Sequence, residues 1–395
     1  MKEIGKRLEC YTYDVSVVIV NYNGKKYLDN LFGSLKKVKH TDFTFEVIFV
    51  DNNSTDGSAD YLKELAADMP FDVNIIRSKD NLGFAGGNNK GAKAAKGEFL
   101  VLLNNDTMVE PDWLAELYYT IRNKTCVAMV NSKLLFFYDF IKLDLSGRSK
   151  GQIEKKLKLN GQDYEIEAKY CKNIKDEGKS YSFTNESQIC LPIWDEDRDF
   201  KAELVINGQV EQISLTPAEV KERKVSLIQN AGSGINQAYD GYDIGSGEID
   251  CEKYNHPYQI NNACGASVIM RRDEFYWSGM FDSRFFMYYE DTDLSYRMKK
   301  QEGKMKDKII LYCPTSVVRH IHTGSSKEWS PLFTYHVYRN KLLFIFKNIS
   351  RSLYLKQLLI LYRQGKKENN FYKMCGCKDS LKIVFKRKKN VTFRW

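Results

Sequence analysis

The sequence predicts an α/β protein: a mainly parallel central sheet with crossover helices, a small antiparallel β-rich insert, and a helical basic C-terminal tail. Three observations carry this prediction. In the N-terminal third, short β-branched and apolar runs alternate with amphipathic helical patterns, the signature of a parallel sheet. From Gly147 to Lys224 the texture changes to short alternating stretches around turn residues. Towards the C-terminus, apolar residues at helical spacing run beside clustered Lys and Arg. At 395 residues, 43% hydrophobic and 28% charged, the chain is long enough for two packed units and too apolar for global disorder.

Taken in order, residues 14–20 (Asp-Val-Ser-Val-Val-Ile-Val) read as a strand buried on both faces. A polar turn, Asn21-Tyr22-Asn23-Gly24, leads into a helix patterned by Leu28, Leu31 and Leu35. Phe45 to Val50 is a second buried strand, running into the turn Asp51 to Gly57, and a helix pattern covers Ala59 to Ala67. Val73 to Ile76 is a third strand, and Phe99 to Leu103 a fourth, which runs into Asn104-Asn105-Asp106. Ligands of parallel sheets bind outside the carboxyl ends of the strands. Three polar clusters stand at such ends, which is the first functional hint. In the insert, Glu203 to Ile206 and Gln212 to Leu215 flank Asn207-Gly208, hairpin chemistry. With Tyr181 to Phe183 and Gln188 to Leu191 they predict a small antiparallel module. The alternation resumes near Asn261, with Ala266 to Met270 as a strand. The expected divisions are 1–146, an insert at 147–226, 227–348, and a tail at 349–395.

The net charge of +9 is uneven: from Arg351 onward 13 Lys and Arg face two acids, Glu368 and Asp379, so the rest of the chain is nearly neutral. Leu353, Leu355, Leu358, Leu359, Ile360 and Leu361 beside Lys386-Arg387-Lys388-Lys389 suit an anionic membrane surface. A core-packing helix followed by a solvated tail is the other reading. No motif supports nucleic-acid binding. No run approaches the roughly 18 apolar residues of a spanning helix, and no signal peptide is visible behind Met1. Nine scattered cysteines without CxxC spacing fit reduced cytosolic thiols. Cys375-Gly376-Cys377 lacks a second pair or a nearby His for zinc.

Four groups can carry chemistry. Asp51 and Asp56, in a turn rich in Asn, Ser and Gly, can accept hydrogen bonds from a ribose or a base edge, or cap the next helix. The Gly-rich run Asn81 to Gly91 lets backbone approach a ligand, or starts a helix; it does not follow the first strand, as a dinucleotide-binding loop would. Asn104-Asn105-Asp106 offers an exposed carboxylate for a hard divalent cation that can hold a diphosphate. Finally, Glu290, Asp291 and Asp293 crowd a helix start, where they favour the dipole or place a general base. His320 and His322 share one side of an extended segment and can ligate a metal together, or stand as buried or surface histidines without one.

In this order, the groups resemble glycosyltransferase family 2, with its nucleotide-sugar-binding GT-A fold, and within it rhamnosyltransferase-like enzymes of bacterial surface polysaccharide synthesis. The matching stretches are Val17 to Gly24, Val50 to Gly57, Asn81 to Gly91, Leu103 to Asp106, Cys264 to Arg272, Glu290-Asp291, His320 to Ser326 and Arg339-Asn340. The insert and the last 45 residues lie outside the likeness. The resemblance implies an inverting sugar transfer with Asp291 as catalytic base, flanked by Glu290. It implies nucleotide-sugar contacts at Asn21, Tyr22, Asp51, Asn81, Gly83, Asn89, Asn104 and Asn105, and a Mg²⁺ or Mn²⁺ ion on Asp106 with His320 or His322. Asn104 departs from the family by replacing the first Asp of its DxD motif. The implied partners are a nucleotide-diphosphate sugar and a glycan or lipid-linked acceptor, at the inner face of the cytoplasmic membrane. Two other classes stand beside this: a non-catalytic carbohydrate-binding or scaffold protein, and a nucleotidyltransferase or nicotinamide enzyme on a similar sheet.

Overall fold

The computed structural model describes residues 11–300, 308–321 and 330–385. The chain divides into two units: Met1–Ser132 with Gly232–Tyr242 and Pro257–Trp395, and Lys133–Ala231 with Asp243–His256.

The first unit opens with alternating strands and helices. Strand β1 (Tyr13–Asn21) leads to helix α1 (Leu28–Leu35), β2 (Phe45–Asp51), α2 (Ser58–Ala66), β3 (Asp72–Arg77), α3 (Gly83–Ala94) and β4 (Gly97–Asn104). The strands stand in the order β4-β1-β2-β3, all parallel. All seven residues of β2 are buried, as expected of a strand covered on both faces, and that is why it reads as an unbroken apolar run. Beyond β4 the sheet continues through Ser267–Arg271, antiparallel to β4, then Val127–Phe136, Ile309–His320 and Tyr258–Ile260. The Gly-rich run forms helix α3 rather than an open loop. A Cβ on Gly91 would lie 2.4 Å from Val18, so glycine lets this helix lie flush on β1.

Three helices close this unit: Pro331–Asn348, Arg351–Lys367 and Phe371–Phe385. Leu342 to Ile345, Tyr354, Leu358, Leu361 and Cys377 form one buried cluster with Phe285 and Tyr289. The segment expected as a tail therefore begins as two packed helices, while Lys386 to Lys389 lie outside the described residues. No helix among the described residues is long and apolar enough to cross a membrane. The cysteines among them are free.

The second unit is antiparallel β. Phe200–Ile206 and Gln209–Leu215 pair around Asn207 and Gly208, whose φ values of 51° and 76° are those of a two-residue hairpin turn. Along Phe200–Ile206 buried and more open residues alternate, and Phe200, Ala202, Leu204 and Ile206 join Ile153, Leu159 and Phe183 in one core.

Candidate active site

The carboxyl ends of β1, β2 and β4 lie side by side. Asn21 is in register with Asp51, and Val20 with Asn104. Because β2 and β4 flank β1 on opposite sides, the chain leaves β1 at the point where a doubly wound sheet opens a crevice. Asn21 braces that rim: its amide donates to Ser54 Oγ (3.1 Å) and Ser58 Oγ (2.8 Å), and its Oδ1 accepts from Asn105 Nδ2 (2.7 Å). Asp56 accepts from the backbone N–H of Lys25 (2.8 Å) and Ser58 (3.0 Å), the capping geometry open to it from the sequence. Tyr22 is exposed next to the brace, at 43%. Asp51 is buried, and its Oδ1 has no hydrogen-bond partner. A buried carboxylate oxygen left open at a strand end is a waiting acceptor for a hydroxyl or N–H.

The next residue, Asn52, organises the Gly-rich segment. Its amide donates to Asn81 Oδ1 (2.9 Å) and to the Gly83 carbonyl (3.1 Å), while its Oδ1 accepts from Leu82 N–H (3.0 Å). Asn81 also accepts from Gly83 N–H at 2.9 Å. Gly83 has φ +68°, and a Cβ there would strike Phe286 at 2.5 Å, so only glycine fits. Asn89 exchanges hydrogen bonds with the backbone of Phe281, donating to its carbonyl (2.8 Å) and accepting from its N–H (3.0 Å). Its side chain thus fastens the 281–283 segment.

At the end of β4, His320 Nε2 lies 3.1 Å from Asp106 Oδ1 and 3.1 Å from Asn104 Nδ2. Two cis ligands on a cation at about 2.1 Å are about 3 Å apart, so the carboxylate oxygen and the imidazole nitrogen are spaced to share one ion. No group of three His, Cys, Asp or Glu among the described residues forms a closed metal cage. His322 lies outside the described residues.

Asp291 approaches this rim from another part of the chain. It sits in the first turn of the Glu290–Lys299 helix. Its Oδ2 accepts from Gly265 N–H (3.1 Å) and its Oδ1 from Thr292 N–H (2.6 Å). The next carbonyl along, Ala266 O, accepts from Asn104 N–H at 3.0 Å, so Asp291 is fastened beside the end of β4. Burial pushes the Asp291 carboxyl above its usual range, partly offset by the Gly265 and Thr292 hydrogen bonds. Glu290 is pushed up as well, by burial and then by the Asp291 charge, and its Oε2 has no partner. Next in the helix, Asp293 is fully buried but ion-paired to Arg297 (2.7 Å) and Lys347 (2.8 Å), which gives it a structural place.

Asn21, Asp51, Asn81, Gly83, Asn104, Asn105, Asp106 and His320 thus gather on the strand ends and the Gly-rich segment beside them, and Asp291 is tied to the strand next to β4. The bracing roles of Asn52, Ser54 and Ser58 are not visible in the sequence. Arg339-Asn340, a polar pair inside an apolar helical run, is a signal visible in the sequence without its role.

Parallel strands with polar residues at their carboxyl ends define an α/β protein built to hold a ligand at that rim. Residues 16–160 match the model described as Glycosyl transferase family 2. YfnE of Bacillus subtilis, an uncharacterized glycosyltransferase, is 37% identical over 101 residues, 26% of this chain and 25% of that protein. TuaG of the same species, named a putative teichuronic acid biosynthesis glycosyltransferase, is 26% identical over 130 residues, 33% of this chain and 50% of that protein. The chain therefore spans between a quarter and a half of these curated relatives. A crystal structure of GalNAc-T7 with UDP, GalNAc and Mn²⁺ shares the fold, with a TM-score of 0.54 at 16% identity over 93% of this chain and 54% of that one. Residues 16–160 thus carry the likeness to glycosyltransferase family 2, and the chain has the GT-A fold.

Proposed function

We propose that this protein is an inverting glycosyltransferase. It moves a sugar from a nucleotide-diphosphate donor to a hydroxyl of a glycan or lipid-linked acceptor, in bacterial surface polysaccharide synthesis. The observation that carries the proposal is Asp291, a desolvated carboxylate fastened by Gly265 beside the strand end that bears Asn104 to Asp106. A single carboxylate of raised pKa suits a general base. Asp291 accepts the acceptor hydroxyl proton as that oxygen bonds to the anomeric carbon. The bond from that carbon to the diphosphate breaks on the opposite face, and the nucleoside diphosphate leaves with the electron pair. Asp51, with an open buried oxygen, accepts from the ribose or the base, and Tyr22 offers an exposed ring beside it. Asn81 and Gly83 shape the wall that the donor meets. Burial raises the Glu290 pKa, which disfavours a second negative charge beside the base. A Mg²⁺ or Mn²⁺ ion held by Asp106 and His320 would neutralise charge on the departing diphosphate.

The teichuronic acid assignment of TuaG supports an envelope glycan as product, and the likeness to rhamnosyltransferase-like enzymes makes rhamnose the first donor sugar to test. The C-terminal helices, which expose Leu355, Leu359 and Ile360 among their cations, support work at the inner face of the cytoplasmic membrane. The test is a thermal-shift panel of UDP-, dTDP- and GDP-sugars with and without Mn²⁺, with NAD as comparison. One sugar nucleotide should raise the melting temperature, and more so with Mn²⁺. A shift with NAD and none with any sugar nucleotide would replace this reading with a nicotinamide enzyme.

A further inference from the structure

We infer that Arg339 and Asn340 are positioning residues for Asp291, holding the 284–289 loop in a strained shape that fixes where the Glu290–Lys299 helix begins. The effect on turnover rests on the transferase reading; the effect on the loop rests on geometry alone.

The strain is in the backbone. Phe286, Tyr288 and Tyr289 have φ of 65°, 68° and 68°. This left-handed region is open to glycine and tolerated by Asn and Asp, but it is uncommon for aromatic residues. Three such residues within four positions persist only where the surroundings over-determine them. Tyr289 is also the residue that precedes the helix, and no side chain caps that end.

The surroundings that impose the shape are two fully buried polar side chains on the Pro331–Asn348 helix. Arg339 Nη2 donates to the carbonyls of Arg284 (2.9 Å) and Phe285 (2.7 Å). Asn340 Nδ2 stands within hydrogen-bond distance of three carbonyls, Phe285 (2.8 Å), Met287 (2.7 Å) and Tyr288 (2.8 Å). Arg339 Nε donates to Asn340 Oδ1 (2.9 Å), which fixes the amide with its nitrogen towards the loop. An amide has two hydrogens, so the three carbonyls share them. A carboxylate at position 340 would bring only acceptors against acceptors.

The loop has two ends, and both reach the candidate site. On one side the Phe286 carbonyl accepts from Ala85 N–H (3.1 Å), and its ring fills the space that Gly83 leaves open. On the other, the Tyr289 carbonyl accepts from Asp293 N–H (2.9 Å), starting the helix whose second residue is Asp291. Tyr289 Oη donates to the Tyr239 carbonyl (2.8 Å), anchoring that end. The pair therefore sets the distance between the segment expected to meet the donor and the expected base. A base displaced by about 1 Å loses about 10²-fold in rate, while donor contacts at Asp51 and Asn81 stay in place.

The experiment uses the full chain with Asn340→Ala, Asn340→Asp and Arg339→Lys. Three quantities are read: hydrogen exchange of the 284–291 amides, donor affinity by calorimetry, and kcat with its pH profile. The expected result is loop exchange faster by about tenfold or more with β1, β2 and β4 unchanged. Alongside it, kcat should fall about 10²-fold with donor Kd within about threefold. Asn340→Asp should be the most damaged, Arg339→Lys the least. Should either Asn340 variant fail to fold, Arg339→Lys carries the same comparison. Wild-type loop exchange and kcat in a folded variant would overturn the inference, as would parallel losses of kcat, donor affinity and melting temperature. If the wild-type chain turns over no sugar nucleotide, the transferase reading falls and loop exchange alone decides the clamp.

Discussion

Both ring nitrogens of His336 are buried without a hydrogen-bond partner, and the ring stacks on Phe286 at 5.4 Å and 14°. Burial, with the Arg339 charge nearby, lowers its pKa to about 3. The unfolded value is about 6.5, so between those limits the unfolded chain binds a proton that the folded one refuses. Stability is whole above the upper limit and falls as pH drops through the window. Phe at this position keeps the stack and removes the penalty. The stability of His336→Phe relative to wild type should therefore rise on acidification, by up to about 2 kcal/mol at pH 5 compared with neutrality. Urea melts at the two pH values check this, and an equal shift at both would contradict it. Glu290 and Asp291 act with the opposite sign. Their folded pKa values lie above the unfolded ones, so the stability they contribute is present at low pH and lost as pH rises through the folded values. Neutral amides at these positions relieve that loss. Glu290→Gln should thus be at least as stable as wild type at pH 7, by thermal melting, and should keep most of its turnover. A large loss of turnover in a folded Glu290→Gln protein would give Glu290 a direct part in the chemistry.

Among the elements, helix α3 shows what the sequence leaves open. Its glycines read as a helix start more readily than as a ligand loop, and the helix is what forms. The packing explains their use: a Cβ on Gly87 or Gly91 would lie 2.6 or 2.4 Å from Val20 or Val18. Gly91→Val should push the helix off β1 and lower stability by about 1–3 kcal/mol in chemical denaturation, and a change within about 0.5 kcal/mol would show that the close approach is unnecessary. The parallel strands were legible to within a residue or two, because burial on both faces writes a continuous apolar run, as in Phe45 to Val50. So was the Asn207-Gly208 hairpin, because its turn chemistry is local. The rim of Asn21, Asp51 and Asn104 was legible from strand ends alone. What periodicity does not carry is pairing across long separations. Asn52 meets the 81–83 segment about 30 residues on, and Arg339 and Asn340 meet a loop some 52 to 55 residues back. The C-terminal helices were legible as helices. Their docking was open between core and membrane, since Leu353 to Leu361 is apolar on more than one face.

At the scale of the whole molecule, the Arg351–Lys367 helix buries Tyr354, Leu358 and Leu361 and still exposes Leu355 (50%), Leu359 (58%) and Ile360 (38%). Lys356, Arg363, Lys366 and Lys367 are exposed with them, and the helix has no acid. Apolar side chains set among cations fit an anionic bilayer surface. The protein should float with anionic vesicles, less so in high salt, and not with neutral ones. Changing Leu355, Leu359 and Ile360 together to Gln should abolish flotation; flotation unaffected by that change would assign the face elsewhere. The larger expectation is that Asp51, Asp106 and Asp291, distant in the chain, serve one transfer reaction. Its most direct test is sugar transfer and donor binding measured side by side in Asp291→Asn. Transfer should fall about 10²–10⁴-fold, with donor affinity within about threefold of wild type and no loss of melting temperature. Near-normal transfer by the folded variant would remove Asp291 from the chemistry and contradict the account.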